Sequence, residues 1–160
     1  MSDIGAVHYI QENTFTIDII EDWNLIGLPV DSDISLYQNI FENTIDNSLF
    51  LFNDNETYES VEYLEPGNGY WLRFFTAYQA TISGNLISNL TIQLHQGWNL
   101  ISGISFSISI DDIDDPDNLI ISGTLYRFNE SYILSDNITP GNGYWVRSES
   151  DGNIILNIIN

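Results

Sequence analysis

The chain is 160 residues long, 43% apolar and 13% aromatic, enough for one ordinary domain or two small ones and too apolar for wholesale disorder. It carries 23 acids against three bases, all arginine (Arg73, Arg127 and Arg147), for a formal charge of −20, and it has no cysteine. These counts exclude lysine Schiff-base chemistry, a P-loop lysine, disulfides, thiol catalysis and zinc–thiolate sites, and with no basic patch they disfavour nucleic acid and anionic membrane surfaces as partners.

The opening Met1-Ser2-Asp3-Ile4-Gly5 has neither the basic nor the apolar region of a secretory leader. The chain therefore reads as intracellular, or as the mature form or a fragment of a longer protein. No apolar run is long enough to cross a bilayer, so membrane insertion is not expected.

An internal duplication dominates the rest. Thr16-Ile17-Asp18-Ile19 followed by Trp23-Asn24-Leu25-Ile26 returns as Thr91-Ile92-Gln93-Leu94 followed by Trp98-Asn99-Leu100-Ile101. Leu49-Phe50-Leu51-Phe52-Asn53 returns as Leu125-Tyr126-Arg127-Phe128-Asn129, and Pro66-Gly67-Asn68-Gly69-Tyr70-Trp71-Leu72-Arg73 as Pro140-Gly141-Asn142-Gly143-Tyr144-Trp145-Val146-Arg147. Three collinear blocks in one order define two modules, residues 1–84 and 85–160, with a boundary near Ser83 to Asn89.

Within each copy the pattern is mainly β. Phe15 to Ile20 and Leu90 to Leu94 alternate and are β-branched, which predicts strands. The Trp-Asn-Leu-Ile runs have apolar neighbours on both sides and read as core strands, with Trp23 and Trp98 inside and Asn24 and Asn99 bonded to backbone in an adjacent turn. Leu49–Phe52 and the Tyr-Trp-Leu-Arg run are further strands, each Pro-Gly-Asn-Gly is a turn, and Tyr78–Ile82 and Ile154–Ile159 close the copies. Val7 to Ile10 reads as the N-terminal counterpart of the strand that links the copies. One helix is predicted in copy one, capped by Asp31 or Ser32, with Ser35 and Gln38 at capping-box spacing and Ile34, Tyr37, Ile40 and Phe41 as its apolar stripe. Copy two has room for a single turn at Ile110 and Ile113 before Pro116 stops it.

Two groups of side chains carry candidate chemistry. In the Tyr-Trp-x-Arg strands, alternation puts Trp71 with Arg73, and Trp145 with Arg147, on one face. Such a pair can stack on a sugar or aromatic ring and add planar hydrogen bonds; equally, the Trp fills a core and the Arg pairs with a carboxylate. Asp111, Asp112, Asp114, Asp115 and Asp117 form a dense run of oxygen ligands for which calcium is the candidate metal, although the spacing is not that of an EF-hand. The alternative is a solvated loop with a helix cap. His8 and His95 lie in no zinc spacing, and no nucleophile elbow, phosphate loop or His-Glu-x-x-His is present, so no enzyme is expected.

The (G)WNLI(S/G) run, an aromatic strand, then PGxGYW(L/V) resembles a small β-rich module repeated in secreted and surface-exposed multidomain bacterial proteins. The resemblance spans Phe15 to the C-terminus and implies an extracellular or cell-surface location and an accessory or structural role, with no general activity to carry over. The expectation is an all-β fold of two tandem, pseudo-symmetric small sandwich or barrel-like modules, the first with one short helix. The expected role is a noncatalytic structural, assembly or spacer module whose partners are other protein modules or copies of itself. The alternative is a carbohydrate- or other ligand-binding module using the Trp-x-Arg faces.

Overall fold

The structure is a computed structural model and describes residues 13–158; the strand expected at residues 7–10 and the His8 side chain lie outside them. The fold is mainly β, built from antiparallel sheets with one short helix. Copy one contains β1 (Asn13–Ile19), β2 (Asp22–Gly27), β3 (Val30–Asp31), α1 (Tyr37–Ile40), β4 (Phe50–Phe52), β5 (Tyr58–Ser60), β6 (Gly69–Phe74) and β7 (Tyr78–Leu86). Copy two contains β8 (Asn89–Leu94), β9 (Gly97–Ser102), β10 (Ile108–Ser109), a 3-10 turn at Ile110–Asp112, β11 (Tyr126–Phe128), β12 (Tyr132–Leu134), β13 (Asn137–Ile138), β14 (Gly143–Ser148) and β15 (Gly152–Asn157).

The two halves of the chain build four-stranded sheets of matching strand order. In copy one a four-stranded sheet runs in the order β2-β6-β4-β5, and in copy two the matching sheet runs β9-β14-β11-β12. A long antiparallel pair lies across each: β1 with β7, from Asn13 opposite Gly84 to Ile19 opposite Tyr78, and β8 with β15, from Leu94 opposite Gly152 to Asn89 opposite Asn157. Strand alternation sets the core. In β1, Ile17 and Ile19 are buried while Thr16 and Asp18 face solvent, and the buried side meets Ile26, Tyr70, Leu72 and Phe74. Ile92, Leu94, Ile154 and Leu156 meet Ile101, Tyr144 and Val146 in the same way in copy two.

The corner from the long pair into the sheet is closed by one side chain in each copy. Asn24 accepts from the Ile20 N–H at 3.1 Å and donates to the carbonyls of Ile20 and Asp22 at 2.9 and 3.2 Å. Asn99 does the same with His95 and Gly97, at 3.0, 2.9 and 3.1 Å. The corner needs left-handed backbone, which Asp22 (φ 79°) and Gly97 (φ 98°) supply.

Three expectations need correction. α1 is one turn long, starts after Leu36 with no side-chain cap, and leaves Ile34 exposed; only Tyr37 and Phe41 of the expected stripe are buried. The extended backbone before it is satisfied differently, by a bridge between Leu36 and Tyr63 and by the Tyr37 N–H donating to Glu62 O at 3.0 Å. Ser32 Oγ instead accepts from the Ile34 N–H at 3.1 Å, a local turn. Second, β7 runs on to Leu86, so the link to β8 is Ile87 and Ser88 alone. Third, Trp23 and Trp98 are not core residues. They lie on the outer side of their sheets, Trp23 half-buried and Trp98 36% exposed, because Asn24 and Asn99 take the inward positions. Among the described residues no helix is long and apolar enough to cross a membrane.

Candidate functional site

The outer faces of the two four-stranded sheets meet, and the Pro-Gly-Asn-Gly turns determine how. Gly67 and Gly141 have φ of 93° and 88°, a conformation that favours glycine. Each turn is tied inward by the tyrosine that follows it: Tyr70 Oη accepts from the Glu65 N–H at 2.8 Å, and Tyr144 Oη from the Thr139 N–H at 2.9 Å. Each then lies against the Trp-Asn-Leu-Ile strand of the other copy. The Gly27 N–H donates to Gly141 O at 3.0 Å and the Ser102 N–H to Gly67 O at 2.9 Å, beside bridges from Ile26 to Asn142 and from Asn68 to Ile101. The approach is so close that a Cβ on Gly69 would stand 2.5 Å from Ile101 O, and one on Gly143 2.9 Å from Ile26 O. Every one of these contacts has its counterpart with the copies exchanged, so the halves are related by a pseudo-two-fold axis.

Around that axis Leu25, Leu100 and Trp145 are buried, with Phe52, Trp71, Tyr126 and Phe128 packed against them. Two aromatic pairs cross between copies: Phe52 with Trp145 and Phe128 with Trp71, each with ring centroids 4.9 Å apart and planes 78° apart. Within each copy two tryptophans form a right-angled corner, Trp23 with Trp71 (6.2 Å, 86°) and Trp98 with Trp145 (6.5 Å, 90°). The result is two open clefts. The first, about 360 Å³, is lined by Trp23, Phe50, Tyr58, Trp71 and Phe128. The second, about 510 Å³, is lined by Phe52, Tyr58, Trp98, Tyr126, Tyr132 and Trp145. Both volumes lie in the range of small-molecule sites.

The polar groups of the second cleft are few. Tyr58 and Tyr132 are about half exposed. Burial raises the Tyr132 phenol above its ordinary pKa, Tyr58 beside it raises it further, and the Trp145 indole N–H works the other way. That indole nitrogen is buried and meets no partner of hydrogen-bonding geometry among the described residues.

The Trp-x-Arg expectation holds for geometry and changes for exposure. Trp71 and Arg73 do share the outer face, opposite Leu25 and Trp23 respectively, and so do Trp145 and Arg147, opposite Leu100 and Trp98. But Trp145 is 9% exposed and Trp71 half-buried, because the other copy's Phe covers each of them. Arg73 is ion-paired with Asp22, and its guanidinium carbon sits 5.9 Å from the Trp23 ring centroid. Arg147 is exposed, and among the described residues it has neither a carboxylate partner nor a ring beneath it. The position matching Asp22 is Gly97, which explains the difference.

The aspartate run does not converge. Asp115 uses both carboxylate oxygens on its own loop, accepting from the N–H groups of Leu119 and Ile120 at 2.8 and 2.9 Å. Asp111, Asp112, Asp114 and Asp117 are exposed, and no three His, Asp or Glu side chains among the described residues are grouped to hold a metal ion. As placed, the run has the arrangement of the solvated, capping-loop alternative. His95 lies at the corner of copy two with Nδ1 2.8 Å from Gln96 O and lines neither cleft.

Sequence reasoning missed Phe52, Phe128, Tyr58 and Tyr132. The signal was present: the repeated Leu-x-x-Phe-Asn strands carry aromatics at alternate positions, so one face of each is aromatic. Comparison with protein-family models, with curated proteins and with solved structures finds no match to this chain.

Proposed function

We propose that the chain is a noncatalytic module of a secreted or surface bacterial protein, and that its working surface is the pair of aromatic clefts at the seam between the copies. The observation that carries this reading is the right-angled tryptophan corner, built twice, closed each time by a phenylalanine of the other copy and left open to solvent. A seam needed only for packing has no reason to leave Trp98, Tyr58 and Tyr132 half in water, since contiguous exposed aromatic surface is uncommon outside contact sites. The cleft linings hold aromatic rings and phenols, with no carboxylate or imidazole to act as acid or base. The bacterial and extracellular part of the reading rests on the module resemblance.

The test is a titration of tryptophan emission and indole NMR signals with a panel of carbohydrates and small organic solutes. At least one solute should give a saturable change that is lost in Trp23→Ala, Trp98→Ala or the double variant. If no solute does so, the clefts are packing defects and the ligand-binding reading is abandoned.

A second reading, self-assembly or spacing, is favoured by a different observation: Leu134 and Phe75 are exposed by 59% and 67%, outside both cleft linings. Light scattering across a hundredfold concentration range decides it. A constant monomer mass removes assembly.

A further inference from the structure

We infer that the second cleft is a site for a small quaternary ammonium cation, held against the Trp98 ring. The inference rests on the reading of the clefts as ligand sites and adds the class of ligand.

The two otherwise matched halves differ at one ring. In copy one a cation already stands on the exposed tryptophan: Arg73, directly opposite Trp23 in the ladder, reaches over its ring and is held there by Asp22. In copy two the ladder is the same, with Arg147 directly opposite Trp98, yet no guanidinium lies over the ring. Gly97 replaces the aspartate that would hold it, and Trp98 is left 36% exposed. The chain thus shows a cation on one of its two equivalent rings and an open ring on the other.

The walls suit a cation better than a flat sugar. Trp145 stands at 90° to Trp98 and at 78° to Phe52, so the rings that line the cleft are set at right angles to one another instead of forming one flat face. That arrangement surrounds a compact positive group with the negative faces of aromatic rings, whereas a pyranose stacks on one broad open face. A quaternary ammonium has no N–H donors to satisfy, and the only side-chain acceptors in the lining are the phenols of Tyr58, Tyr126 and Tyr132.

Charge points the same way. The field of a chain of formal charge −20 concentrates cations at its surface. One contributor is Glu56, on the β4–β5 turn of copy one, whose Oε1 lies 3.0 Å from where a Cβ on Gly97 would stand. Copy one therefore brings a carboxylate beside the residue that precedes Trp98. An anionic ligand such as a phosphorylated headgroup meets the opposite field, and a cationic solute of the choline type is the occupant that both the rings and the field favour.

The experiment uses the full chain and NMR of the four indole N–H signals. It is titrated at matched ionic strength with choline chloride, with its neutral carbon isostere 3,3-dimethylbutan-1-ol, and with a short neutral peptide bearing trimethyl-lysine. Choline should shift the Trp98 and Trp145 signals saturably and bind at least about fivefold more tightly than the isostere. Trp98→Leu, which keeps apolar bulk at an exposed position but removes the ring, should abolish the effect, and Glu56→Gln should weaken it severalfold. Arg73→Met, which clears the Trp23 ring while leaving Asp22 beside it, should create a second site, seen as a choline response at Trp23.

Equal binding of choline and the isostere overturns the cation assignment and leaves the cleft reading standing on its own solute panel. No response to choline overturns the assignment outright. A peptide bound ten times more tightly than choline overturns the small solute as occupant. A choline response in the unmodified chain as strong at Trp23 as at Trp98 removes the argument from the open ring.

Discussion

Phe52 of the first copy meets Trp145 of the second edge to face, with ring centroids 4.9 Å apart, and Phe128 meets Trp71 at the same separation and angle. These reciprocal pairs hold the two sheets together beside Leu25 and Leu100, whose side chains fill the centre of the seam. Edge-to-face pairs contribute about 0.5–1.5 kcal/mol beyond their buried area. A double-mutant cycle with Phe52→Leu and Trp145→Leu should return a coupling in that range, and the cycle with Phe128→Leu and Trp71→Leu should match it. Denaturant unfolding of the six variants measures both. Couplings near zero in both cycles would mean that the copies are held by the backbone contacts and the Leu25 and Leu100 packing without a contribution from the edge-to-face pairs.

Those backbone contacts give a sharper prediction at Gly69 and Gly143. An added methyl there meets the carbonyls of Ile101 and Ile26, main-chain atoms that cannot rotate aside. Gly69→Ala or Gly143→Ala should cost about 3 kcal/mol, at the upper end for overpacking. Gly123→Asn is the control: its φ of 76° suits asparagine, nothing lies within 4 Å, and the change should stay within about 0.5 kcal/mol. Chemical denaturation midpoints distinguish the two classes of site.

Asn24 and Asn99 each serve one N–H and two carbonyls at a corner, and both are less than a tenth exposed. Asn99→Ala leaves those three backbone groups unpaired and should cost about 2–3 kcal/mol. Asn99→Asp keeps the acceptor but loses both donations, so it should recover less than half of that loss. Full recovery by aspartate would assign the stability to the single bond from His95 N–H.

The duplication, the strands and the two asparagine corners were legible because they depend on period, β-branching and turn residues close in sequence. The position of the tryptophans was not. In Trp-Asn-Leu-Ile every residue that follows Trp23 and Trp98 is apolar or amide, so alternation alone does not say which face is inside. The decision is made by Asn24 and Asn99, whose bonds to the corner draw their face inward and turn the tryptophans out. The clefts were hidden for a related reason. Each one needs a Phe from the other copy, and the pairing of two sheets across a pseudo-two-fold axis leaves no local mark beyond the glycines that let them approach. The aspartate run was ambiguous in sequence, its density suiting a metal or a capping loop, and the structure shows Asp115 accepting from the Leu119 and Ile120 N–H groups.

From that capping follows an expectation for calcium. A ligand at a hundredfold excess over its dissociation constant stabilises a fold by about 2.7 kcal/mol, several degrees in Tm for a chain of this size. With Asp115 engaged and the other four acids facing solvent, millimolar calcium should move the Tm by less than about 1 °C relative to EDTA at matched ionic strength. A calcium-specific rise of several degrees would restore the run as a metal site.

The alkaline limb of stability should report on the turn-anchoring tyrosine. Tyr70 is 1% exposed, and burial raises its phenol above the ordinary value of 10.0, with the hydrogen bonds from Asn68 and the Glu65 backbone opposing this only in part. Below that value both the folded and the unfolded chain keep the proton, so stability from this group does not change with pH. Above it the unfolded chain loses the proton first and the folded chain binds more protons than the unfolded one, so stability falls as pH rises toward the folded pKa. Unfolding free energy should therefore be flat between about pH 8 and 9.5 and drop beyond pH 10. Tyr70→Phe removes the titrating group, and although it lowers stability at neutral pH by about 1 kcal/mol through the lost turn bond, its alkaline drop should be shallower. Urea unfolding across that pH range, read alongside phenolate absorbance, measures both. An identical slope in Tyr70→Phe would place the alkaline sensitivity at the other raised phenols, Tyr78 and Tyr132.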